Sequence, residues 1–451
     1  MTVPVPRMAA PAGDPQLVGD LRARVDARLE RAAHADRADG RSVSRSEEAA
    51  RTESLVWLEI EAWTARRASI GHPALPRPVE QELAAAVLAA LAGLGPLDLL
   101  LRRDDIENIL VFGCDTVFLE LADGTVQPWP YPLAESDTAL IALLEGMFAR
   151  LGATGREFSV ASPIGNLRLP AGGSLGARLA AVMQVTERPT AAIRRHRLVN
   201  ATLDTLVEHR TLDRGLARLL AAGVRAGLRI VVSGEWGSGK TTLLRALCHE
   251  IPPHEHIVTI EDDRELGLHT WPQRHPLVTS MEARLPNAEG VGAITVEALL
   301  TQALRHSPRR VIVGEVRGGE VTTLLRALST GAGGLCTLHA DSPHGVFDRI
   351  ANMAQLAVPP LPVETAYRWT ATAVDLIVHV RRLDRPGGRE RFVSHVLEVG
   401  AVGDAGRPDA TELFAPGPDT GHGLPAFAPS PRLQAVLRPF GLDLTPWACA
   451  S

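Results

Sequence analysis

Short apolar runs alternate with amphipathic segments from Leu228 to Leu338. The runs typical of buried strands are Ile230–Ser233, Ile257–Glu261, Val311–Glu315 and Gly334–Leu338. A strand that is covered by helices on both faces has a continuous run of apolar residues. A strand with one solvent-exposed face has alternating apolar and polar residues instead. The alternation of such runs with helical segments therefore predicts an α/β domain with a mostly parallel sheet flanked by helices.

The part of the chain before this domain divides into a helical segment and a mixed segment. Residues 16–69 mix charged and apolar positions at helical spacing, which predicts two helices broken near Asp39-Gly40 and then a Pro-marked linker from His72 to Pro78. The apolar stripe of these helices could bind a partner, but packing on the next domain is the more ordinary outcome. Residues 80–200 favour a smaller α+β domain, with helices at Glu80–Ala92 and Asp137–Leu151 and strands at Ile109–Phe112, Val117–Leu121, Asn166–Pro170, Ala177–Met183 and Thr190–Arg194.

These patterns divide the chain into consecutive parts. We expect disorder in residues 1–15, the helical segment and linker in 16–79, the α+β domain in 80–205, the α/β domain in 206–400 and a Pro/Gly-rich tail in 401–451. A helix at Leu203–Gly223 is predicted to lead into the α/β domain. The last elements of that domain are predicted to be helices at Val346–Gln355 and Glu364–Ala373 and a hairpin that joins Leu376–Arg382 to Arg391–Val399 across Pro386-Gly387-Gly388.

Composition narrows the classes of function. The net charge of −5 and the lack of any basic run beyond short Arg pairs argue against direct nucleic-acid binding. The four cysteines form no C-x-x-C pair, which argues against a zinc site and favours small buried thiols in a reducing cytoplasm. The longest apolar run, Leu83–Leu94, falls well short of the about 20 residues that cross a bilayer, and no secretory leader is recognisable. We expect a soluble, cytoplasmic chain whose membrane contact comes only through a partner.

Lys240 is the only lysine in a chain with 47 basic Lys and Arg side chains. It stands in the pattern G-x-x-x-x-G-K-T, which reads Gly234-Glu235-Trp236-Gly237-Ser238-Gly239-Lys240-Thr241 and continues to Thr242. In such a loop the backbone N–H groups wrap phosphates and a compact ammonium reaches the terminal oxygens, where a planar guanidinium is too wide. A chance match is possible for the loop alone, but a buried strand precedes it and a helix follows. The segment therefore predicts binding of a nucleoside triphosphate with Mg²⁺.

Two strand ends supply the acidic groups that this chemistry needs. The run that begins at Ile257 ends in Glu261, and the run that begins at Val311 ends in Glu315. Carboxylates at the carboxyl ends of parallel strands face the ligand crevice, although any one of them could be an ordinary solvated acid. We expect Thr241 to ligate Mg²⁺, Glu315 to act on the ion or its waters, and Glu261 to orient the attacking water, with the roles of the two acids open to exchange. Thr242 lies in the same segment, and its plainer role is to stabilise the helix through a backbone hydrogen bond.

Two further side chains are candidates with weaker support. His339 follows the apolar run that ends at Leu338, where a lone histidine is more often structural than catalytic. Arg317 lies beside the acidic strand end and could be an ion-pair partner, a phosphate contact or a contact to a neighbouring subunit.

Taken together, these motifs resemble the type II/type IV secretion ATPases, and most closely the CpaF-type ATPase of tight-adherence (Flp) pilus assembly. The resemblance covers roughly Leu94 to Gly400. It is carried by the phosphate loop, an Asp-box-like Thr259-Ile260-Glu261-Asp262, the stretch Glu282-Ala283-Arg284-Leu285-Pro286-Asn287, Ala303-Leu304-Arg305, the Walker B stretch Arg310–Glu320 and a His-box-like stretch that ends in His339-Ala340-Asp341. In the smaller domain, Gly93-Leu94-Gly95-Pro96-Leu97, Arg168-Leu169-Pro170 and Arg194-Arg195 match in order.

The resemblance implies a RecA-like P-loop NTPase domain preceded by the smaller α+β domain and the helical segment. It also implies a cytoplasmic homohexamer that hydrolyses ATP with Mg²⁺ and drives an inner-membrane platform in pilus assembly or protein secretion. In such enzymes arginines stabilise charge on the phosphates, and the candidates here are Arg194, Arg195, Arg284, Arg305 and Arg317. His339 becomes a nucleotide-sensing and catalytic candidate on the same ground.

The chain departs from the family pattern at several positions. The His box usually opens with Thr-Gly-His, and here Thr330-Gly331 is followed by Ala332. The Asp-Gly usually found after Arg168-Leu169-Pro170 is Ala171-Gly172. These changes keep an alternative open, a nucleotide-dependent scaffold or regulator with little turnover. A nucleic-acid motor is a further alternative, which the acidic balance opposes.

Overall fold

The computed structural model of the chain separates into two units. It describes residues 15–38, 45–69, 71, 75–92, 94–151, 158–169, 176–195, 201–284, 286, 290–385, 388–404, 406–417 and 421–448. The first unit contains the described residues up to Ala122 and from Val126 to Arg195. The second contains Asp123–Thr125 and the described residues that follow Arg195.

The first unit opens with helices that pack on each other through apolar stripes. They are α1 (Pro15–Ala38), α2 (Arg45–Ser69) and α3 (Arg77–Ala92). Their shared core includes Leu21 and Val25 of α1, Val56 and Ile60 of α2, and Leu83 of α3. The helical spacing in residues 16–69 therefore reflects intramolecular packing. The predicted break at Asp39-Gly40, the first three residues of the linker predicted from His72 to Pro78, and residues 1–14 of the segment predicted to be disordered lie outside the described residues. The last two residues of that linker already belong to α3, and Pro15 begins α1.

An antiparallel sheet forms the rest of the first unit. Its elements are α4 (Leu97–Leu101), β1 (Ile106–Phe112), β2 (Val117–Leu121), β3 (Val126–Trp129), α5 (Asp137–Leu151), β4 (Ile164–Leu169), β5 (Ala177–Val182) and β6 (Thr190–Arg195). The strand order is β3-β2-β1-β6-β5-β4, and α5 covers one face with Leu140, Leu144 and Met147. The sequence pattern missed β3, an edge strand that contains Pro128 and has little buried surface.

The second unit is built on a mostly parallel sheet, which confirms the predicted α/β class. The strands are β7 (Arg229–Gly234), β8 (Ile257–Glu261), β9 (Val278–Glu282), β10 (Arg310–Val316), β11 (Gly333–His339), β12 (Leu376–Arg385), β13 (Gly388–Val402), β14 (Pro408–Pro416) and β15 (Gly423–Pro425). Their order is β15-β14-β13-β12-β7-β11-β10-β8-β9. Pairing is parallel from β12 to β9 and antiparallel from β12 to β15.

Helices cover both faces of this sheet. They are α6 (Leu203–Glu208), α7 (Arg214–Arg225), α8 (Lys240–His249), α9 (Val296–Ala303), α10 (Glu320–Ser329), α11 (Gly345–Ala354), α12 (Val363–Ala373), α13 (Pro431–Leu437) and α14 (Thr445–Ala448). Buried side chains of α7 and α8 form one core layer with β7, and those of α10 and α11 form another with β10. The parallel strands therefore end together at one edge, which brings Gly234, Glu261 and His339 to the same side of the sheet.

The single helix predicted over Leu203–Gly223 is wrong, because two helices occupy that range. Helix α6 ends before His209, and Arg210 adopts a left-handed conformation with φ of 58°. Asp213 then has extended backbone angles, and its carboxylate accepts a hydrogen bond from the Leu216 N–H at 2.7 Å. A capping residue of this kind begins a new helix instead of continuing the old one.

The segment after Gly400, which composition suggested to be a tail, contains ordered elements of the second unit. Strand β14 pairs with β13, with Val396 opposite Phe414, and β15 extends the same sheet. Near the end of the described chain, Trp447 is buried, its Nε1–H donates to the Leu413 carbonyl at 3.0 Å, and its ring meets that of Phe414 edge-on. These contacts join positions that are remote in sequence, so local composition gave no indication of them.

Among the described residues, no helix is both long enough and apolar enough to cross a membrane. Cys114, Cys248 and Cys336 are buried free thiols, as the sequence predicts, and Cys449 lies outside the described residues.

Trp447→Ala should destabilise the second unit by roughly 3–5 kcal/mol, the usual cost of removing a buried aromatic side chain. The loss combines an empty volume against Phe414 with one lost hydrogen bond to the Leu413 carbonyl, which keeps its bond from the Ala426 N–H. Urea unfolding followed by circular dichroism measures it. Phe427→Ala is the matched control, because Phe427 belongs to the same segment and is 65% exposed. Equal stability of the two variants would contradict a structural role for the C-terminal segment.

Candidate active site

The loop between β7 and α8 has the strand–loop–helix form that the G-x-x-x-x-G-K-T pattern predicts. Gly237 and Gly239 have φ of 70° and 96°, a region that side-chain-bearing residues avoid. Gly234 is required for a second reason, because a Cβ there would lie 2.2 Å from the Val380 carbonyl oxygen. The path of the loop is therefore set by its glycines, and α8 begins at Lys240 with Thr241 and Thr242 in its first turn.

Lys240 is 7% exposed, and its ammonium is held by the start of its own loop. Nζ donates to the carbonyls of Gly234 at 3.1 Å and Glu235 at 2.9 Å. It also lies 3.1 Å from Nδ1 of His339. Since an ammonium can only donate, Nδ1 must accept, which leaves the ring hydrogen on Nε2. His339 is therefore oriented by the phosphate-loop lysine.

The other side of the His339 ring faces the acid at the end of β10. Nε2 lies 3.0 Å from Oε1 of Glu315, and Oε2 of Glu315 accepts from Nη2 of Arg317 at 2.8 Å. The second Arg317 nitrogen lies 3.4 Å from Asp262. Burial alone would raise the pKa of Glu315, but the His339 and Arg317 side chains lower it to about 2. Glu315 is therefore ionised at neutral pH, and the His339 ring lies between its carboxylate and the Lys240 ammonium.

Glu261, at the end of β8, is in the opposite electrostatic situation. It is 3% exposed, and Oε1 accepts from the N–H groups of Glu265 and Leu266 at 2.8 Å each. Oε2 is buried with no hydrogen-bond partner among the described residues. Burial raises the pKa of this carboxyl to about 7, although the two backbone bonds oppose the shift. Gly314 lies against it, and a Cβ there would come within 3.0 Å of the Glu261 Cγ.

The residues of this site fit a magnesium–triphosphate group. The glycine cradle, the buried ammonium and the start of α8 are suited to an anion, because helix N-termini and backbone N–H groups attract phosphates. Within the described chain, Oγ of Ser238, Oε2 of Glu261 and Oε1 of Glu315 are buried polar atoms without a hydrogen-bond partner. Groups of this kind are costly unless they meet a ligand or water. Thr241 and Glu315 offer the oxygen donors that Mg²⁺ prefers.

The five candidate arginines fall in different places. Arg317 is brought to the acidic side chains, as described above. Arg284 donates to the Gly292 carbonyl at 2.6 Å in its own loop, and Arg305 is exposed on a short 3₁₀ helix at Leu304–His306. Arg194 and Arg195 lie on β6 of the first unit, where Arg195 approaches Asp104 at 3.4 Å. Roles for these four at the phosphates stay predictions.

Sequence reasoning missed two arginines that hold the phosphate loop from outside and one acid that holds the backbone before α10. Arg382 donates to the Trp236 carbonyl at 3.3 Å, and Arg391 donates to the Gly237 carbonyl at 2.9 Å. Both come from the β12–β13 hairpin, which runs beside the loop because β12 pairs with β7. Glu320 fixes the backbone before α10 by accepting from the N–H groups of Arg317 and Gly318. The hairpin arginines were visible in the sequence, but nothing local linked them to the phosphate loop.

Comparison with known proteins identifies the family. The model of the family described as "Type II/IV secretion system protein" matches residues 91–403. A Mycobacterium tuberculosis protein with the description "Putative conjugal transfer protein" is 36% identical over 304 residues, which cover 66% of this chain and 83% of that protein. The type IV secretion system protein VirB11 of Brucella suis is 40% identical over 173 residues, 38% of this chain and 46% of its own length.

Solved structures give a weaker likeness. The crystal structure of the Brucella suis VirB11 ATPase with sulphate covers 70% of this chain and 96% of its own, at 27% identity and a TM-score of 0.35. The Legionella pneumophila ATPase DotB covers 70% of this chain and 81% of its own, at 17% identity and a TM-score of 0.49.

The family match confirms the resemblance inferred from the motifs, while the tight-adherence branch stays a prediction. Since the matched residues span well over half of the sequence and include both the phosphate loop and the acidic strand ends, the chain belongs to the type II/IV secretion system protein family.

Proposed function

We propose that this chain hydrolyses ATP in a homohexameric motor that powers pilus assembly or type II/IV-like protein secretion. The observation that carries the proposal is the linked set formed by Lys240, His339 and Glu315 beside the buried acid Glu261. At one edge of the sheet this set combines a positive charge suited to phosphate oxygens with two acids. One acid, Glu315, is ionised, and the other, Glu261, has a raised pKa. The family membership supports the same reading.

The phosphate loop from Gly234 to Thr242 would hold the triphosphate. Its backbone N–H groups and Lys240 would bind the β- and γ-phosphates, with Thr241 and Glu315 holding Mg²⁺ directly or through water. The ion, when bound, neutralises charge on the phosphate oxygens. Arg317, which neutralises Glu315 and Asp262 in this arrangement, could exchange those partners for phosphate. Arg194, Arg195, Arg284 and Arg305 are proposed to stabilise phosphate charge from other surfaces or subunits.

The opposite pKa shifts of the two acids support a division of labour between them. A pKa of about 2 keeps Glu315 negative, which suits a ligand of Mg²⁺ or of its waters. A pKa of about 7 allows Glu261 to accept a proton from the attacking water near neutral pH and to release it afterwards. Carboxyl groups whose environments separate their pKa values commonly have distinct acid–base roles. We therefore assign activation of the attacking water to Glu261 and binding of Mg²⁺ or of its waters to Glu315.

The partners and location follow from the same proposal. A motor of this type would assemble as a hexamer on the cytoplasmic face of the inner membrane and act on a platform protein there, with no direct contact to nucleic acid. The tight-adherence pilus is the system that the motifs favour. A scaffold with little turnover is the alternative, since Ala332 replaces the usual histidine. The rate of ATP turnover distinguishes the motor from the scaffold.

Lys240→Ala should abolish ATP turnover, because no other side chain of the loop can bring an ammonium to the phosphates. Lys240→Arg should lose most of the activity as well. The Nζ site is enclosed by the carbonyls of Gly234 and Glu235 and by His339, so it leaves little space for a planar guanidinium. Steady-state phosphate release at saturating Mg²⁺-ATP measures both. Near-normal turnover by Lys240→Arg would contradict this view of the loop.

Glu261→Gln should reduce kcat by about 10²–10⁴-fold, the usual contribution of a general base, and leave ATP binding nearly unchanged. The amide keeps the shape of the side chain but cannot accept the proton. Phosphate release gives kcat, and binding of a fluorescent ATP analogue gives affinity. Glu364→Gln is the matched control, because Glu364 is exposed in the first turn of α12. Tight ATP binding by a wild-type hexamer that releases no phosphate would favour the scaffold.

Glu261 should also make stability depend on pH. Its pKa rises from an ordinary 4.5 to about 7 on folding, so between these values the folded chain keeps a proton that the unfolded chain releases. The free energy of unfolding of the wild type should therefore fall by about 2–3 kcal/mol relative to Glu261→Gln as pH rises from 5 to 8. Urea unfolding of both proteins at the two pH values measures this. If the free energies of unfolding of the two proteins differed by the same amount at pH 5 and pH 8, the Glu261 carboxyl would have an ordinary pKa.

A further inference from the structure

Trp236 occupies a position that the phosphate-loop pattern leaves open to any residue, and its side chain is 63% exposed. An exposed indole buries little apolar surface, so packing in a core does not account for it. What it does contact is His339. The two rings are nearly parallel, at 12°, with centroids 5.7 Å apart. This is the offset-stacked geometry that aromatic pairs prefer.

The ring that Trp236 stacks on is the one that joins Lys240 to Glu315. Nδ1 lies 3.1 Å from the ammonium, and Nε2 lies 3.0 Å from the carboxylate. Both distances depend on the plane of the imidazole. The second side-chain torsion of histidine has broad energy wells, so the torsion itself does not fix the plane of the ring. The two polar contacts, at Nδ1 and Nε2, still allow the ring to tilt about the line that joins these atoms. A flat surface against one face removes that freedom.

The base of the stack is itself fixed. The Trp236 carbonyl accepts from Arg382 at 3.3 Å, and the next carbonyl, that of Gly237, accepts from Arg391 at 2.9 Å. In the pairing of β11 with β7, His339 lies directly opposite Gly234. Gly234 precedes Trp236 by two residues. The indole therefore rests on a backbone held by the β12–β13 hairpin and faces a ring whose own backbone is held by the sheet.

We propose that Trp236 is a positioning residue for ATP hydrolysis, which sets the plane of the His339 ring so that it bridges Lys240 and Glu315. In this role Trp236 acts through the His339 ring, on which its indole stacks. The proposal rests on the ATPase function proposed above, and it assigns a role to a loop side chain that phosphate binding itself does not need.

A double-mutant cycle tests this mechanism. Trp236→Ala should lower kcat about two- to tenfold, the range that corresponds to the loss of one offset-stacked aromatic pair, with KM for ATP changed less than kcat. Trp236→Phe should restore most of kcat, because a phenyl ring offers the same flat surface. In a His339→Ala background, Trp236→Ala should have no further effect. Effects of the two substitutions that multiply would overturn the proposal, as would a change in KM alone.

A spectroscopic readout keeps this test separate from the proposed function. With 5-fluorotryptophan at the seven tryptophan positions, the ¹⁹F resonance that disappears in Trp236→Phe belongs to Trp236. His339→Ala should shift that resonance, because the stacked ring is removed, whereas the control Phe427→Ala should leave it in place. No shift with His339→Ala would overturn the stack even if the protein hydrolyses ATP. A shift in a protein that hydrolyses no ATP would support the stack and refute the proposed function.

Discussion

A buried ammonium organises the second unit. Lys240 is almost fully enclosed, and such a charge is costly unless hydrogen-bond acceptors around it compensate. The carbonyls of Gly234 and Glu235 and the Nδ1 of His339 provide that compensation. The same arrangement fixes the tautomer of His339 and places its Nε2 within 3.0 Å of the Glu315 carboxylate. One positive charge therefore links the loop after β7 to the ends of β11 and β10.

The two acids at this edge are tuned in opposite directions by their surroundings. Glu315 lies beside Arg317 and His339 and stays ionised, whereas Glu261 is enclosed by backbone and keeps a raised pKa. Gly314, the residue before Glu315 on β10, makes room for the Glu261 side chain, which comes from the end of the neighbouring strand β8. An ionised acid costs stability when one of its oxygens is buried without a hydrogen-bond partner, and Glu261 takes on that cost as its carboxyl ionises near pH 7. Under the proposed function, the same raised pKa is what would let Glu261 accept a proton from water.

The β12–β13 hairpin extends the site beyond the motifs. Its arginines hold two carbonyls of the phosphate loop, and the C-terminal strands that follow complete the same sheet. A loop that must receive an anion benefits from support on its carbonyl side, since the N–H groups are then free to face the ligand. The hairpin and the Trp236–His339 stack thus hold the loop from different sides.

The sequence by itself determined the elements that depend on local chemistry. Apolar runs located β7, β8, β10 and β11, and the glycine pattern located the loop. The position at a strand end singled out Glu261 and Glu315. All three features depend only on residues that are neighbours in the sequence. Tertiary structure alone decided which arginines reach the loop, that Trp236 covers His339, that the two acids have opposite pKa shifts and that the segment after Gly400 joins the sheet. Each of these rests on burial or on contacts between distant segments, and the strand order that creates such contacts is set by packing of the whole unit. The helix predicted over Leu203–Gly223 failed for a smaller reason, since the cap at Asp213 is a local feature that an apolar pattern does not reveal.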